Sequence, residues 1–150
     1  MKPSTLSVRK ATHKDLKVIM SLVRELAIFE KEEDAFTATL EQYTQAFEEN
    51  IFQVLLAEDK EEVVGMCLYY PSFSTWKGKM MYLEDFVVRD EHRRKGIGEL
   101  LFHAFVKVAK EENCRMVKWQ VLDWNDTAIA FYKKQKATIE KGWYNGKIIF

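Results

Sequence analysis

Apolar positions along the chain keep two different spacings, and each change of spacing marks a new element. Leu6 and Val8 alternate with polar neighbours and predict a short first strand over 6–10. Leu16, Ile19, Leu22, Val23 and Leu26 then fall on one helical face. Thr12, with Asp15 three residues on, predicts a capping box in front of that helix, Asp replacing the usual Glu. Thr37 or Thr39 caps a second helix reaching about Glu49. Residues 52–57 and 63–70 have strand character and are separated by the charged turn 58–62, a hairpin pattern. Pro71 and Gly78 bound a loop carrying Phe73 and Trp76, and a longer strand covers 80–88. Ile97, Leu100, Leu101, Ala104, Phe105 and Val108 form a helical stripe that packs on a sheet. Residues 116–122 predict another strand, and Asn125 caps a helix through Ile129 and Tyr132. Residues 139–143 and 147–150 predict a last hairpin around Asn145-Gly146. The order β-α-α-β-β-β-α-β-α-β-β implies an α/β fold, an α+β mixed sheet with helices on both faces, in one domain over 1–150.

Composition narrows the possibilities. Net charge is zero over 150 residues, which speaks against a nucleic-acid-coating protein. The charge is uneven: residues 30–62 hold eleven acids against two lysines, a net of −9. Most of these acids read as solvated surface, yet an acidic face also attracts cations. Cys67 and Cys114 make no disulfide framework, and the three histidines are scattered without metal-ligand spacing. No stretch approaches the ~18 apolar residues of a membrane span, and the N-terminus lacks an apolar signal core. The expected location is cytoplasmic, with no membrane or nucleic-acid partner and no metal.

The chemistry is most concentrated at Arg93-Arg94-Lys95-Gly96-Ile97-Gly98, between a strand and a helix. Glycines allow close backbone approach, and the first amides of a helix favour an anion such as a diphosphate. The bland alternative is a basic turn ending in a helix cap. A dinucleotide fingerprint fails because Leu101 replaces its third glycine, and a P-loop fails for want of Gly-Lys-Ser/Thr.

Strand 82–89, Arg93-x-x-Gly96-x-Gly98 and the following helix resemble the acyl-CoA-binding core of the GNAT N-acetyltransferases. Residues 74–79 (Ser-Thr-Trp-Lys-Gly-Lys), 82–86 (Tyr-Leu-Glu-Asp-Phe), 121–125 (Val-Leu-Asp-Trp-Asn) and 131–133 (Phe-Tyr-Lys) resemble the spermidine/spermine (diamine) branch, with its thialysine-acetylating relatives. Arg24 to Glu30 on the first helix fits the same branch, and the likeness runs from about Val8 to Trp143. It implies direct acetyl transfer from acetyl-CoA to a primary amine of a small diamine, polyamine or lysine-like (thialysine) substrate. By position, Arg93, Arg94, Lys95, Gly96, Ile97, Gly98 and Glu99 would hold the diphosphate. Phe86, Val87 and Val88 would meet the pantetheine and thioester, and Asn125, Asp126, Thr127 and Ala128 the CoA arm. Tyr132 would be the general acid. Glu84, Phe29 and Glu30 would receive the amine, with Trp76, Lys118, Trp119 and Gln120 lining the cleft. The likeness also implies homodimers whose partner chains complete each cleft.

The residue types suit the reaction. An alkylamine titrates near ~10.4, so about one molecule in 10³ is neutral at pH 7, and neutralising it costs roughly 4–5 kcal/mol. Glu84 can anchor the ammonium and accept its proton, although stabilising a cation also makes it harder to deprotonate. Asp85 follows directly, so a regular strand sends the two acids to opposite faces unless a bulge intervenes. Asp85 therefore reads as structural, and a structural ion pair is the alternative for Glu84. Tyr132, read without the likeness, is a core aromatic; Trp119 reads as packing and Trp76 as the better cleft aromatic. The family's Tyr-x-x-x-Gly-Ala pattern has Lys136 at its glycine, where a left-handed backbone costs about 1 kcal/mol. Gln135 stands where the branch can carry a cation. Acetylation of a protein or peptide amine is the alternative within the enzyme class; a non-catalytic acyl-CoA-binding module is the alternative outside it.

Overall fold

The computed structural model of the chain describes residues 5–92 and 96–150. In chain order it contains β1 (Leu6–Lys10), α1 (Leu16–Phe29), α2 (Leu40–Glu48), β2 (Gln53–Asp59), β3 (Glu62–Ser74), β4 (Gly78–Val88), α3 (Ile97–Glu111), β5 (Met116–Trp119) and α4 (Asp126–Lys134). The strands lie side by side in sequence order. β1 to β4 are antiparallel and β5 runs parallel to β4, so the sheet is mixed as expected. Two compact units divide the chain, Met1–Trp119 with the sheet and Gln120–Phe150 with α4.

Within the first unit each face of the sheet buries its own apolar cluster. Ile97, Leu101, Phe105 and Ala109 of α3 pack with Leu55, Cys67, Tyr69, Met81 and Leu83. Leu16, Ile19 and Leu22 of α1 pack with Val54, Leu56, Met66, Leu68 and Val87 on the other face. The helical stripes and the strand alternation dictate this sandwich, each helix burying one face.

The start of α1 is pinned by charge. Thr12 and Asp15 form the predicted capping box, which opens a 3-10 turn before the helix. Arg9 on β1 grips both carboxylate oxygens of Asp15 at 2.9 Å and also pairs with Glu58. Those bonds, helped by the Thr12 backbone N–H, hold the Asp15 carboxyl down at about 2 against the upward push of burial. At α2 the cap is Thr39 rather than Thr37: Gln42 N–H donates to its hydroxyl at 3.2 Å, and Thr39 N–H donates to Gln42 Oε1 at 2.8 Å.

Three expectations need correction. Residues 71–78 are no loop: β3 runs through Pro71 to Ser74 and β4 begins at Gly78. β2 pairs with β3 only as far as Gln53↔Tyr69, so Pro71 lies where β3 has a neighbour on one side alone, and a strand tolerates proline there. β5 stops at Trp119 rather than at 122. The expected hairpin over 139–150 is not formed. An isolated hairpin needs a third strand or an apolar face, and the second unit supplies only α4.

Candidate active site

The site begins with an irregularity in β4. Cys67 faces Phe86 and Leu68 faces Asp85, but the next pair is Tyr69↔Leu83, which leaves Glu84 as an extra residue. The bulge changes the phase of the strand. Met81 and Leu83 point to the α3 side, whereas Val87 packs under α1. Phe86 stacks on Phe102 of α3 with ring centres 6.0 Å apart, so Asp85, its neighbour, lies on the α1 face with Val87. Tyr70 alternates with the core residue Tyr69, and its hydroxyl donates to Glu84 Oε2 at 3.2 Å. Glu84 and Asp85 thus share one face, the condition that a regular strand forbids.

Four elements contribute to that face. Glu30 stands at the C-terminal end of α1, Tyr43 on α2, Tyr70 on β3, and Tyr82, Glu84 and Asp85 on β4. Tyr70 and Tyr82 stack with ring centres 5.5 Å apart. Glu84 is exposed and Asp85 half-buried. Burial first, then the charges of Glu84 and Glu30, push the Asp85 carboxyl up to about 6. Glu30 is also raised, by burial and by Glu32. Burial and the nearby carboxylates push the Tyr43 and Tyr70 hydroxyls to about 12, so both remain hydrogen-bond donors at neutral pH. Acids that repel one another beside aromatic rings suit a bound cation, which relieves the repulsion and gains the ring faces.

The same strand leads to the expected thioester side. The β4–β5 ladder ends at Leu83↔Trp119, while β4 continues to Val88. A cleft of about 220 Å³ opens there, between Glu25, Leu26 and Phe29 of α1 and Val87 and Val88. Arg89 ties this end of β4 to α1, pairing with Glu25 at 3.3 Å and donating to Ser21 at 3.2 Å. Gly65 lets β3 pass close by: a Cβ there would meet the Val87 carbonyl oxygen at 2.9 Å. Gly96 caps α3 with φ +77, a left-handed conformation that favours glycine. The amides of Ile97, Gly98 and Glu99 follow in the first helical turn, where no intrahelical acceptor exists for them. Arg93, Arg94 and Lys95 lie outside the described residues. Backbone at the end of β4 and a glycine-capped helix start fit an acyl-CoA, which would lay its amides along Phe86–Val88 and its phosphates at Gly96–Glu99.

The remaining expected residues fall in several places. Phe29 lines the cleft beside Val87. Trp76 sits at the β3–β4 turn, 90% exposed, and six ladder pairs separate that turn from the bulge, a span of five steps or roughly 17 Å at ~3.4 Å per residue. The fold therefore does not bring it to Glu84 within one chain. Trp119 meets Phe102 edge-on with centres 5.3 Å apart, on the α3 face and away from the acids. Lys118 is exposed and in register with Tyr82. In the second unit, Gln120 donates to Asn145 Oδ1 at 2.7 Å. Asn125 Oδ1 accepts from Ala128 N–H at 3.2 Å, so Asn125, Asp126, Thr127 and Ala128 form the capped first turn of α4. Tyr132 is buried, its ring 5.6 Å from that of Phe131. Lys136 adopts φ +65, and the bonds Ala137 N–H to Tyr132 C=O and Lys136 N–H to Lys133 C=O close the helix as a glycine would. Sequence reasoning did not single out Tyr43, Tyr70 or Gly65, and set Asp85 aside as structural. The signal available for Asp85 was an acidic pair inside an apolar strand.

Comparison with known proteins identifies the family. The model of the acetyltransferase (GNAT) family matches residues 17–136. A thialysine N-epsilon-acetyltransferase of Bos taurus is 37% identical over 150 residues, covering 91% of this chain and 88% of the relative. A protein of the same description from Caenorhabditis elegans is 33% identical over 129 residues, covering 84% of this chain and 81% of the relative. Among solved structures, an aminoglycoside acetyltransferase from an uncultured soil metagenomic sample superposes with a TM-score of 0.82 at 22% identity, covering 97% of both chains, which shows a shared fold. The chain belongs to the GNAT acetyltransferase family and is an acetyl-CoA-dependent enzyme that transfers acetyl groups to amines.

Proposed function

We propose that the amine is small and carries a second charged group at the far end of a short chain, as in a lysine-like (thialysine) substrate, a diamine or a polyamine. The observation that carries this reading is the β4 bulge, which gathers Glu84 and Asp85 on one face with Glu30, Tyr43 and Tyr70. Relatives described as thialysine N-epsilon-acetyltransferases, matching along most of both chains, point the same way. In this reading Glu84, Glu30 and Phe29 receive the amine, and the reacting nitrogen loses its proton near Glu84. The β4 segment Phe86–Val88 holds the acyl arm, Arg93–Glu99 the diphosphate, and the first turn of α4 the CoA arm. Tyr132 returns a proton to the leaving thiolate. Attack, collapse and protonation occur directly between the bound substrates, with no acyl-enzyme.

The enzyme acts as a homodimer. Trp143, Tyr144, Ile148, Ile149 and Phe150 are 82–114% exposed in the single chain, an apolar stretch that calls for a covering surface. Trp76, remote from Glu84 in its own chain, then serves the partner's cleft. Free Cys67 and Cys114 fit a reducing cytoplasmic setting. No helix among the described residues is long and apolar enough to cross a membrane.

A thiol-release assay with acetyl-CoA and a panel of thialysine, lysine, ornithine, diamines, polyamines, monoamines and N-terminal peptides tests the proposal. Small amines bearing a second charged group should be turned over with the highest kcat/KM. A preference for uncharged monoamines or for peptides contradicts it.

A further inference from the structure

Amide formation requires the incoming ammonium to lose a proton before it attacks, so some group must take that proton. The two β4 acids differ in ways that separate this task from binding. Glu84 is the bulged residue, exposed to solvent, with Tyr70 donating to one of its oxygens at 3.2 Å. Asp85 is the next residue on the same face, drawn inward where β4 resumes its ladder opposite Leu68. Each element packed around Asp85 brings a titratable group: Glu30 from α1, Tyr43 from α2, Tyr70 from β3 and Glu84 from β4 itself. On β5 the exposed Lys118 lies opposite Tyr82, two residues before the bulged Glu84. The charges that act on Asp85 are those of Glu84 and Glu30, both negative.

We propose that Asp85 is the proton acceptor for the reacting amine, and that Glu84 and Glu30 hold the cation in place. The assignment rests on the proposed function and divides its acidic face into two jobs. The step balances simply. The ammonium N–H bond breaks, its proton passes to the Asp85 carboxylate, and the freed lone pair attacks the thioester carbonyl. The C–S bond then breaks, and the second proton, from the attacking nitrogen, ends on the departing sulfur. Asp85 afterwards releases its proton to water. An acid raised to about 6 suits this work: it is ionised at neutral pH and a much stronger base than an ordinary aspartate. Glu84, exposed and hydrogen-bonded, suits a binding role, in which stabilising the cation is the purpose.

The test is the pH profile of kcat/KM for wild type, Asp85→Asn, Glu84→Gln and Glu30→Gln, using the best amine from the panel. Wild type should lose activity below about pH 6. Asp85→Asn should fall by roughly 10²–10⁴ and lose that acid limb, with CoA affinity by calorimetry unchanged. Glu84→Gln should raise KM for the amine and keep an acid limb, moved to lower pH because its repelling charge on Asp85 is gone. Glu30→Gln, which leaves Asp85 intact, should move the limb to lower pH by removing one repelling charge, a readout that remains available should Asp85→Asn fold poorly. An Asp85→Asn enzyme within a few-fold of wild type, or an acid limb that vanishes with Glu84→Gln, overturns the assignment and leaves the proposed function standing. Failure of the wild type to release thiol with every amine overturns both.

Discussion

Asp85→Asn should make the protein more stable at mildly alkaline pH, although it removes a charged group from the site. An unfolded aspartate titrates near ~3.9. In the fold, burial and then the charges of Glu84 and Glu30 raise Asp85 to about 6. The native chain therefore holds this proton more tightly than the unfolded one. The stability linked to that proton is fully present below ~3.9 and is lost as pH rises through about 6. A difference of about two units, at 1.36 kcal/mol each, amounts to about 3 kcal/mol above that window. Asp85 is only half-buried, and solvent access trims the figure to about 2 kcal/mol. Asparagine keeps the shape and never ionises. Urea denaturation at about pH 8 should show the variant more stable by that amount, and at about pH 4 the two proteins should nearly coincide. Equal or lower stability of the variant at pH 8 would mean that the acid face is not strained, and the account of its electrostatics fails.

Other predictions follow from particular contacts. Asp15→Asn should cost about 2 kcal/mol at neutral pH, because the native carboxyl is depressed to about 2; by urea midpoints, that loss should shrink as pH falls from about 4 toward 2. Lys60 and Glu61 both hold positive φ in the β2–β3 turn, so Lys60→Asn with Glu61→Gly should stabilise the fold by about 1–2 kcal/mol, read as a higher Tm. Tyr132→Phe should slow turnover by roughly 10²–10⁴ while leaving calorimetric CoA affinity unchanged; wild-type rates in this variant remove its role as the acid.

Much of this was legible in the sequence because local rules agreed with tertiary demands. The α1 and α3 stripes, the Thr12–Asp15 and Asn125 caps and the charged β2–β3 turn each speak through spacing or side-chain chemistry of their own. The end of β3 was not legible, since Pro71 marks a break unless β2 is known to have stopped pairing. The last hairpin failed for the opposite reason: alternation around Asn145-Gly146 is a strand signal that still needs something to pack against. At the site, Glu84 was named through the family resemblance, its residue type alone leaving a structural ion pair open. The phase change that puts Asp85 beside it was not legible, because a bulge depends on how β3 and β4 align, and no residue in the strand announces it. The acid pair acquires its chemistry from that misalignment.

Acetyl-CoA should bind along the end of β4 and at the glycine-capped start of α3, with the acid face beside it to receive an amine. Isothermal calorimetry of the folded chain with acetyl-CoA tests it most directly. Saturable heat with one molecule bound per chain is expected; no heat from correctly folded protein would contradict this binding mode.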